Sequence, residues 1–319
     1  MTRLAILDDY QNVALGLAQW DSLGSGVTVQ AFHDTLSDPD ALARRLGDFE
    51  IIVAMRERTP FRRPLLERLD KLKLLVTTGM RNASIDLKAA AERGVLVCGT
   101  EVLTPPTVEL TWGLILAIAR HIPREDQGMR NGQWQSTVGV DLQGRTLGLL
   151  GLGRLGSRVA NIGEAFGMRV IAWSQNLTEE RAKSFGAERV EKQELFRRAD
   201  FLSIHMVLSS RTRGLVDSPE FAVMKPTAYL INTSRGPIVN EPALIAALES
   251  RKIAGAALDV YDQEPLPADH VLRRSDNVVL TPHLGYVTED DYRLMYPQAL
   301  EDVRAFLDGH PIRIISAVS

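Results

Sequence analysis

The sequence predicts an α/β protein of two lobes, each a parallel sheet with helices on its faces, and three observations carry that expectation. Short β-branched runs alternate with segments of helical length up to about residue 100: "RLAIL", "VTVQAF", "EIIVA", "LKLLVTT" and "GVLVC". The alternation restarts at "TLGLLG" and continues through "MRVIAW", "DFLSIH", "TAYLIN", "IAGAALDV" and "NVVLT". Strands separated by helical segments mean parallel pairing with crossover helices, and 319 residues suit two domains of ordinary size.

Taken in order, "MTRLAILDDY" reaches acids too early for a secretory leader and reads as the first strand. Between the two series, a helical stretch from about Pro105 to Gly132 is expected to bridge the lobes, with Pro123 ending or kinking it. Thr288, with Asp291 in a capping-box arrangement, starts a final amphipathic pattern, "YRLMYPQALEDVRAFLDG". This tail is expected to return to the first lobe. The expected domains are therefore residues 1–102 with 287–319, and residues 103–286.

The composition, 45% hydrophobic and 24% charged with a net charge of -3, has no bias toward nucleic acid or a membrane. The most apolar helical run, Val108 to Ala119, carries Glu109 and falls short of the roughly 20 residues that span a bilayer. The single cysteine, Cys98, excludes an internal disulfide framework and any multi-cysteine metal site, which agrees with a cytoplasmic home. It reads as a small buried residue at a strand end. No metal is called for.

"TLGLLGLGRLGSRVANIGEAFGMRVIAW" sets Gly151, Gly153 and Gly156 in G-x-G-x-x-G, after an apolar strand and at the opening of a helix, with a second strand following. The first glycine permits a tight turn, the second lets the backbone approach a pyrophosphate, and the third lets helix and strand pack closely. Arg154 and Leu155 complete a turn whose amides face the phosphates. Dinucleotide binding follows, whereas no P-loop pattern is present.

Three ionisable residues follow predicted strands of the same lobe: Arg235 in "INTSRGPIVN", Glu264 in "LDVYDQEPLP" and His283 in "LTPHLGY". Singly, each also reads as an ordinary loop residue. Together, at the carboxyl ends of strands where open α/β sheets hold ligands, they suit reduction of a 2-keto acid. A histidine titrating near neutrality protonates the carbonyl oxygen as a nicotinamide delivers hydride. Glu264 would orient His283, and the planar fork of Arg235 would hold the substrate carboxylate and polarise its carbonyl.

With these residues in view, the sequence resembles the D-isomer-specific 2-hydroxyacid dehydrogenases over nearly its whole length. "GLGRLG", "INTSRGPIVNEPALIAAL", "GAALDVYDQEPLP" and "NVVLTPHLG" look like that family's successive signatures. The resemblance implies two Rossmann-like/flavodoxin-like lobes with the active site in the cleft between them, an Arg/Glu/His set at Arg235, Glu264 and His283, and a homodimer. It implies that residues 1–102 with 287–319 form the substrate domain and 103–286 the dinucleotide-binding domain. It also implies that Asp259 contacts the nicotinamide carboxamide, that Thr233 and Val207 lie along the cofactor, and that the backbone at Gly79 and Met80 receives the substrate carboxylate. Glu264 argues against the related formate dehydrogenases, where glutamine replaces the catalytic acid.

Two departures from the family pattern bear on specificity. Ser174 stands where NAD-preferring members carry an aspartate; with Gln175 and Asn176 it removes the repulsion of a 2′-phosphate, so NADP(H) is favoured over NAD(H). Thr178 reads as a helix N-cap whose amides, with Arg181, would meet that phosphate, opposed by Glu179 and Glu180. Arg81 stands where relatives commonly have an acid, either selecting a further anionic group or simply facing solvent. Trp112, Trp134 and Tyr286 either line a substrate pocket or fill core. A nucleotide-sensing corepressor on the same fold is the competing reading, while a glycine-turn methyltransferase explains neither "TSRG" nor "TPHLG".

Overall fold

The structure is a computed structural model that describes residues 1–316. The chain divides into two compact units, Met1–Leu103 with Val287–Ser319, and Thr104–Tyr286; residues 317–319 of the first lie outside the described part.

The first unit carries β1 (Thr2–Ile6), β2 (Val27–Ala31), β3 (Ile51–Ala54), β4 (Leu74–Thr77) and β5 (Leu96–Gly99), in the order β2-β1-β3-β4-β5 and parallel throughout. This is the flavodoxin-like order. β3 and β4 are buried along their whole length, so they read as unbroken apolar runs rather than alternating ones. Leu46, Leu66 and Ala89 from the crossover helices pack with Ile52, Leu75 and Val97. The helix Glu289–Leu307 packs on β4 and β5, burying Met295, Tyr296, Ala299 and Val303. The open edge of β5 is covered by the chain end: the Gly99 amide donates to the Arg313 carbonyl at 3.0 Å and the Ile315 amide to the Val97 carbonyl at 2.8 Å.

The second unit carries β6 (Thr146–Leu150), β7 (Arg169–Trp173), β8 (Glu188–Arg189), β9 (Phe201–Ile204), β10 (Tyr229–Asn232), β11 (Gly255–Leu258) and β12 (Val278–Leu280). Their order, β12-β11-β10-β9-β6-β7-β8, is the Rossmann order extended by one strand, and all pairs are parallel. Both faces are buried: Leu150, Ile171 and Leu230 belong to one apolar cluster, while their neighbours Leu149, Val170, Ala172, Tyr229 and Ile231 belong to the other.

Three details depart from the sequence reading. β8 is an additional strand of two residues at the sheet edge, too short to leave a pattern. The bridging stretch is two helices, Pro105–Ala119 and Ile122–Arg130, separated where His121 turns left-handed at φ 51°; Pro123 sits in the first turn of the second, where its missing N–H costs nothing. Thr288 does cap the last helix, accepting from the Asp291 amide at 3.3 Å, but the Asp291 carboxylate accepts from the Leu103 amide at 2.8 Å instead of closing the box. Cys98 lies fully buried within β5.

The strap that seals β5 is fastened by Arg313, whose Nε donates to Asp302 Oδ1 at 2.9 Å. Asp302 is fully buried, and its Oδ2 has no hydrogen-bond partner among the described residues. Burial pushes its carboxyl up to about 7, against the opposing pull of Arg313. Because the folded value exceeds the ordinary one, this group's contribution to stability is present at low pH and is lost as pH rises toward 7. Asp302→Asn is expected to flatten that limb: in thermal melts from pH 5 to pH 8, the variant should gain on the parent as pH rises. A constant difference across the range would reject this account.

Candidate active site

Arg235, Glu264 and His283 follow β10, β11 and β12, three neighbours in the sheet, so parallel register alone delivers them to one edge. The loops are then locked together. A Cβ on Gly236 would run into the Tyr261 backbone, so only glycine lets the Arg235 turn approach the Glu264 loop this closely. The Tyr261 hydroxyl lies 2.9 Å from the Thr281 carbonyl, tying that loop to the one carrying His283. The Tyr261 amide donates to Glu264 Oε1 at 3.0 Å, and Glu264 Oε2 meets His283 Nδ1 at 2.5 Å. With Nδ1 engaged, Nε2 is the nitrogen left for a reacting oxygen.

His283 has φ 55°, in the left-handed region that few residues other than glycine occupy. Asp259 holds it there. This fully buried carboxylate accepts from Thr281 Oγ1 at 2.6 Å, the Leu284 amide at 2.7 Å and the Gly285 amide at 2.9 Å, bracketing His283 on both sides. Burial raises its carboxyl above the ordinary value, while these donors favour the charge. Tyr286 is buried with its ring edge-on to His283 at 5.3 Å, so it backs the imidazole. Arg235 is half-buried, its Nη1 donating to the Ser234 carbonyl at 2.7 Å, and the Asn232 amide group fixes the turn by donating to the Arg235 carbonyl at 3.0 Å.

The glycine turn follows β6, where the strand order reverses between β7 and β9, the crevice in which such sheets hold ligands. Gly151 has φ 106°, and a Cβ there would lie 2.6 Å from the His205 carbonyl oxygen; a Cβ on Gly156 would run into the Gly151 carbonyl. Gly153 faces open space and begins the helix Arg154–Ala165 without a side-chain cap. Bare helix amides beside an open cradle fit a dinucleotide pyrophosphate. Burial pushes the His205 imidazole down to about 4, so the wall of this cradle is uncharged. Arg154 is exposed and Leu155 half-buried at the turn. The Gly151 amide donates to the Trp173 carbonyl at 2.8 Å, which brings the end of β7, and so Ser174, to the turn. Ser174 is half-buried, Gln175 and Asn176 exposed.

Other expected positions fall as follows. Thr233 is buried with its hydroxyl 2.8 Å from that of Thr111, and Val207 is exposed. Trp112 is core, stacked on Phe166 at 4.9 Å, whereas Trp134 is exposed. Thr178 caps the helix Glu179–Lys183 by accepting from the Arg181 amide at 3.2 Å, so that amide is already engaged, and the Arg181 guanidinium lies over the Phe185 ring at 5.6 Å. In the first unit the Gly79 amide donates to Thr100 Oγ1 at 3.0 Å. Met80 and Arg81 are exposed. Arg56 follows β3 at φ 52°, and its Nη1 lies so close to Gly79 that a Cβ there would collide with it.

Comparison with known proteins agrees with this geometry. Residues 112–285 match the family described as D-isomer specific 2-hydroxyacid dehydrogenase, NAD binding domain. The chain is 42% identical over 255 residues to glyoxylate reductase of Aeropyrum pernix, covering 77% of this chain and 76% of that protein. It is 37% identical over 291 residues to D-3-phosphoglycerate dehydrogenase of Methanocaldococcus jannaschii, covering 90% of this chain but only 53% of that longer protein. Among solved structures, phosphoglycerate oxidoreductase from Vibrio cholerae superposes with a TM-score of 0.92 at 38% identity, covering 97% of this chain and all of that one. D-lactate dehydrogenase from Aquifex aeolicus, complexed with NAD and lactic acid, superposes with a TM-score of 0.81 at 25% identity, covering 99% of this chain and 100% of that one.

Proposed function

The chain belongs to the D-isomer-specific 2-hydroxyacid dehydrogenase family, an oxidoreductase using a nicotinamide dinucleotide, and from that premise we propose that it reduces a 2-keto acid to the D-2-hydroxy acid with His283 as proton donor. The observation that carries the reading is the 2.5 Å pair of His283 and Glu264 at one edge of the sheet, with Nε2 left over. The nicotinamide, when bound, supplies a hydride to the keto carbon. His283 gives the proton to the oxygen from Nε2 and recovers one from solvent, so keto acid, reduced dinucleotide and one proton become hydroxy acid and oxidised dinucleotide. Glu264 fixes the imidazole's orientation. Arg235 holds the carboxylate and draws charge onto the carbonyl oxygen. Gly151, Gly153 and Gly156, with the amides of Arg154 and Leu155, take the pyrophosphate.

NADP(H) is the dinucleotide in this reading. Ser174, Gln175 and Asn176 supply hydrogen-bonding groups and no negative charge where the adenosine ribose would lie, and the Arg181 side chain is exposed nearby in sequence. The enzyme is read as a homodimer, because Ile122, Met129, Trp134 and Val138 expose apolar surface along one short stretch of the second unit.

His283→Gln should lower kcat by about 10²–10⁴-fold while dinucleotide binding, followed by fluorescence, persists; near-parental turnover would sink the proton-donor role. The parent should consume NADPH faster than NADH with glyoxylate or hydroxypyruvate, and Ser174→Asp should reverse the order; NADH preference in the parent would remove the phosphate argument and leave the reaction standing. Light scattering should return twice the chain mass, and Trp134→Glu should shift it toward one.

A further inference from the structure

Glu264 sits on a loop of the second unit, and several side chains hold that loop in place. β11 ends at Leu258, and the chain runs past Glu264 to the short helical turn Val271–Arg274. Behind Glu264, Arg273 reaches back along the loop, donating from Nη2 to the Leu266 carbonyl at 2.7 Å and from Nε to the Pro267 carbonyl at 2.8 Å. Leu266 and Leu272 are buried. These contacts give the loop its own shape. Where it stands against the turn of Arg235 is a separate matter, settled at one end by the close packing of Gly236 on Tyr261.

His270 makes a second connection at the other end. Its Nε2 lies 3.1 Å from Oε1 of Glu241, the first residue of the helix Glu241–Glu249. That helix follows the Arg235 turn directly, through Gly236–Ile238 and the cap Asn240. Both side chains are mostly buried, at 18% and 20% exposure, so water competes little for the bond. The other ring nitrogen is engaged as well: Nδ1 accepts from the Leu272 amide at 3.3 Å and caps the helical turn. A backbone amide can only donate, so Nδ1 carries no proton, and a neutral imidazole donates from Nε2 to Glu241. One side chain thus has two separable duties, a cap inside its own loop and a link to the neighbouring one.

We propose that His270 and Glu241 are positioning residues for the reduction: their hydrogen bond sets the loop of Glu264 against the turn of Arg235, and so aligns the proton donor with the group that holds the substrate carboxylate. The proposal rests on the 2-keto acid reductase reading above. Reacting groups have to be held within about 0.5 Å of their productive geometry, and supporting hydrogen bonds supply that precision. Glu264 takes one contact from its own loop, at the Tyr261 amide, and the other from His283, so a shift of the loop passes straight to the imidazole.

Two substitutions separate the duties of His270. Asparagine puts an acceptor oxygen where Nδ1 stands and falls short of Glu241; glutamine puts a donor nitrogen where Nε2 stands and leaves the turn uncapped. The purified full chain and both variants are compared with the preferred reduced dinucleotide and with glyoxylate and hydroxypyruvate, folding being checked by thermal melts. His270→Asn should lower kcat by about 10–100-fold while dinucleotide binding, followed by fluorescence, persists. His270→Gln should turn over close to the parent. The reverse order, or equal turnover in the two variants, overturns the proposal. Should either fail to fold, Glu241→Ala takes the place of the asparagine variant and Glu241→Gln, which keeps an acceptor oxygen, that of the glutamine variant, with the same order expected and the same outcomes decisive. A parent that binds the dinucleotide but turns over neither acid defeats the reductase reading itself, and this proposal with it.

Discussion

The buried carboxylate of Asp259 is the interaction on which the chemistry of the second unit depends. β12 ends at Leu280 and the His283 imidazole stands three residues later, on a backbone of positive φ. The strain of such a residue is of the order of 1–3 kcal/mol and persists only where surrounding bonds over-determine it. Asp259 supplies them, gathering one hydroxyl and two amides across the two sides of His283. Without that anchor Glu264 would still reach out from its own loop, but no fixed Nδ1 would be there to meet it.

The same economy of means governs the cradle for the dinucleotide. Main-chain groups can approach a pyrophosphate only if side chains stand aside, and the structure clears them by crowding: the His205 carbonyl leaves no room for a Cβ at Gly151, and the Gly151 carbonyl leaves none at Gly156. Close packing beneath the turn and open space above Gly153 are two sides of one arrangement. Because the β6 and β7 ends are tied by the Gly151 amide, the residue brought to the glycine turn is set by where β7 stops, and there the chain has placed Ser174.

What the sequence disclosed and what it hid divide along the range of the interactions involved. Strands buried on both faces read directly, since local hydrophobicity is all that defines them; the two-residue β8 carries no such signal. Arg235, Glu264 and His283 could be grouped from the sequence because each follows a strand. The capping box at Thr288 was half right, because the Asp291 carboxylate serves the Leu103 amide, a partner 188 residues away in the chain. The error has a physical cause: a polar group was given its nearest plausible task in sequence, while folding gave it a distant one.

The two units also differ in what holds their buried charges. In the second unit, the buried Asp259 is held by a hydroxyl and two backbone amides, so its position is fixed by the fold. In the first unit, Arg56 and Arg58 donate to backbone carbonyls, and Arg56 also has the Glu57 carboxylate beside it. The net charge around such a group is a difference between neighbours, not a property of any one residue. An arginine counted alone suggests a site for anions, and the same arginine with its partner in place is electrically close to neutral.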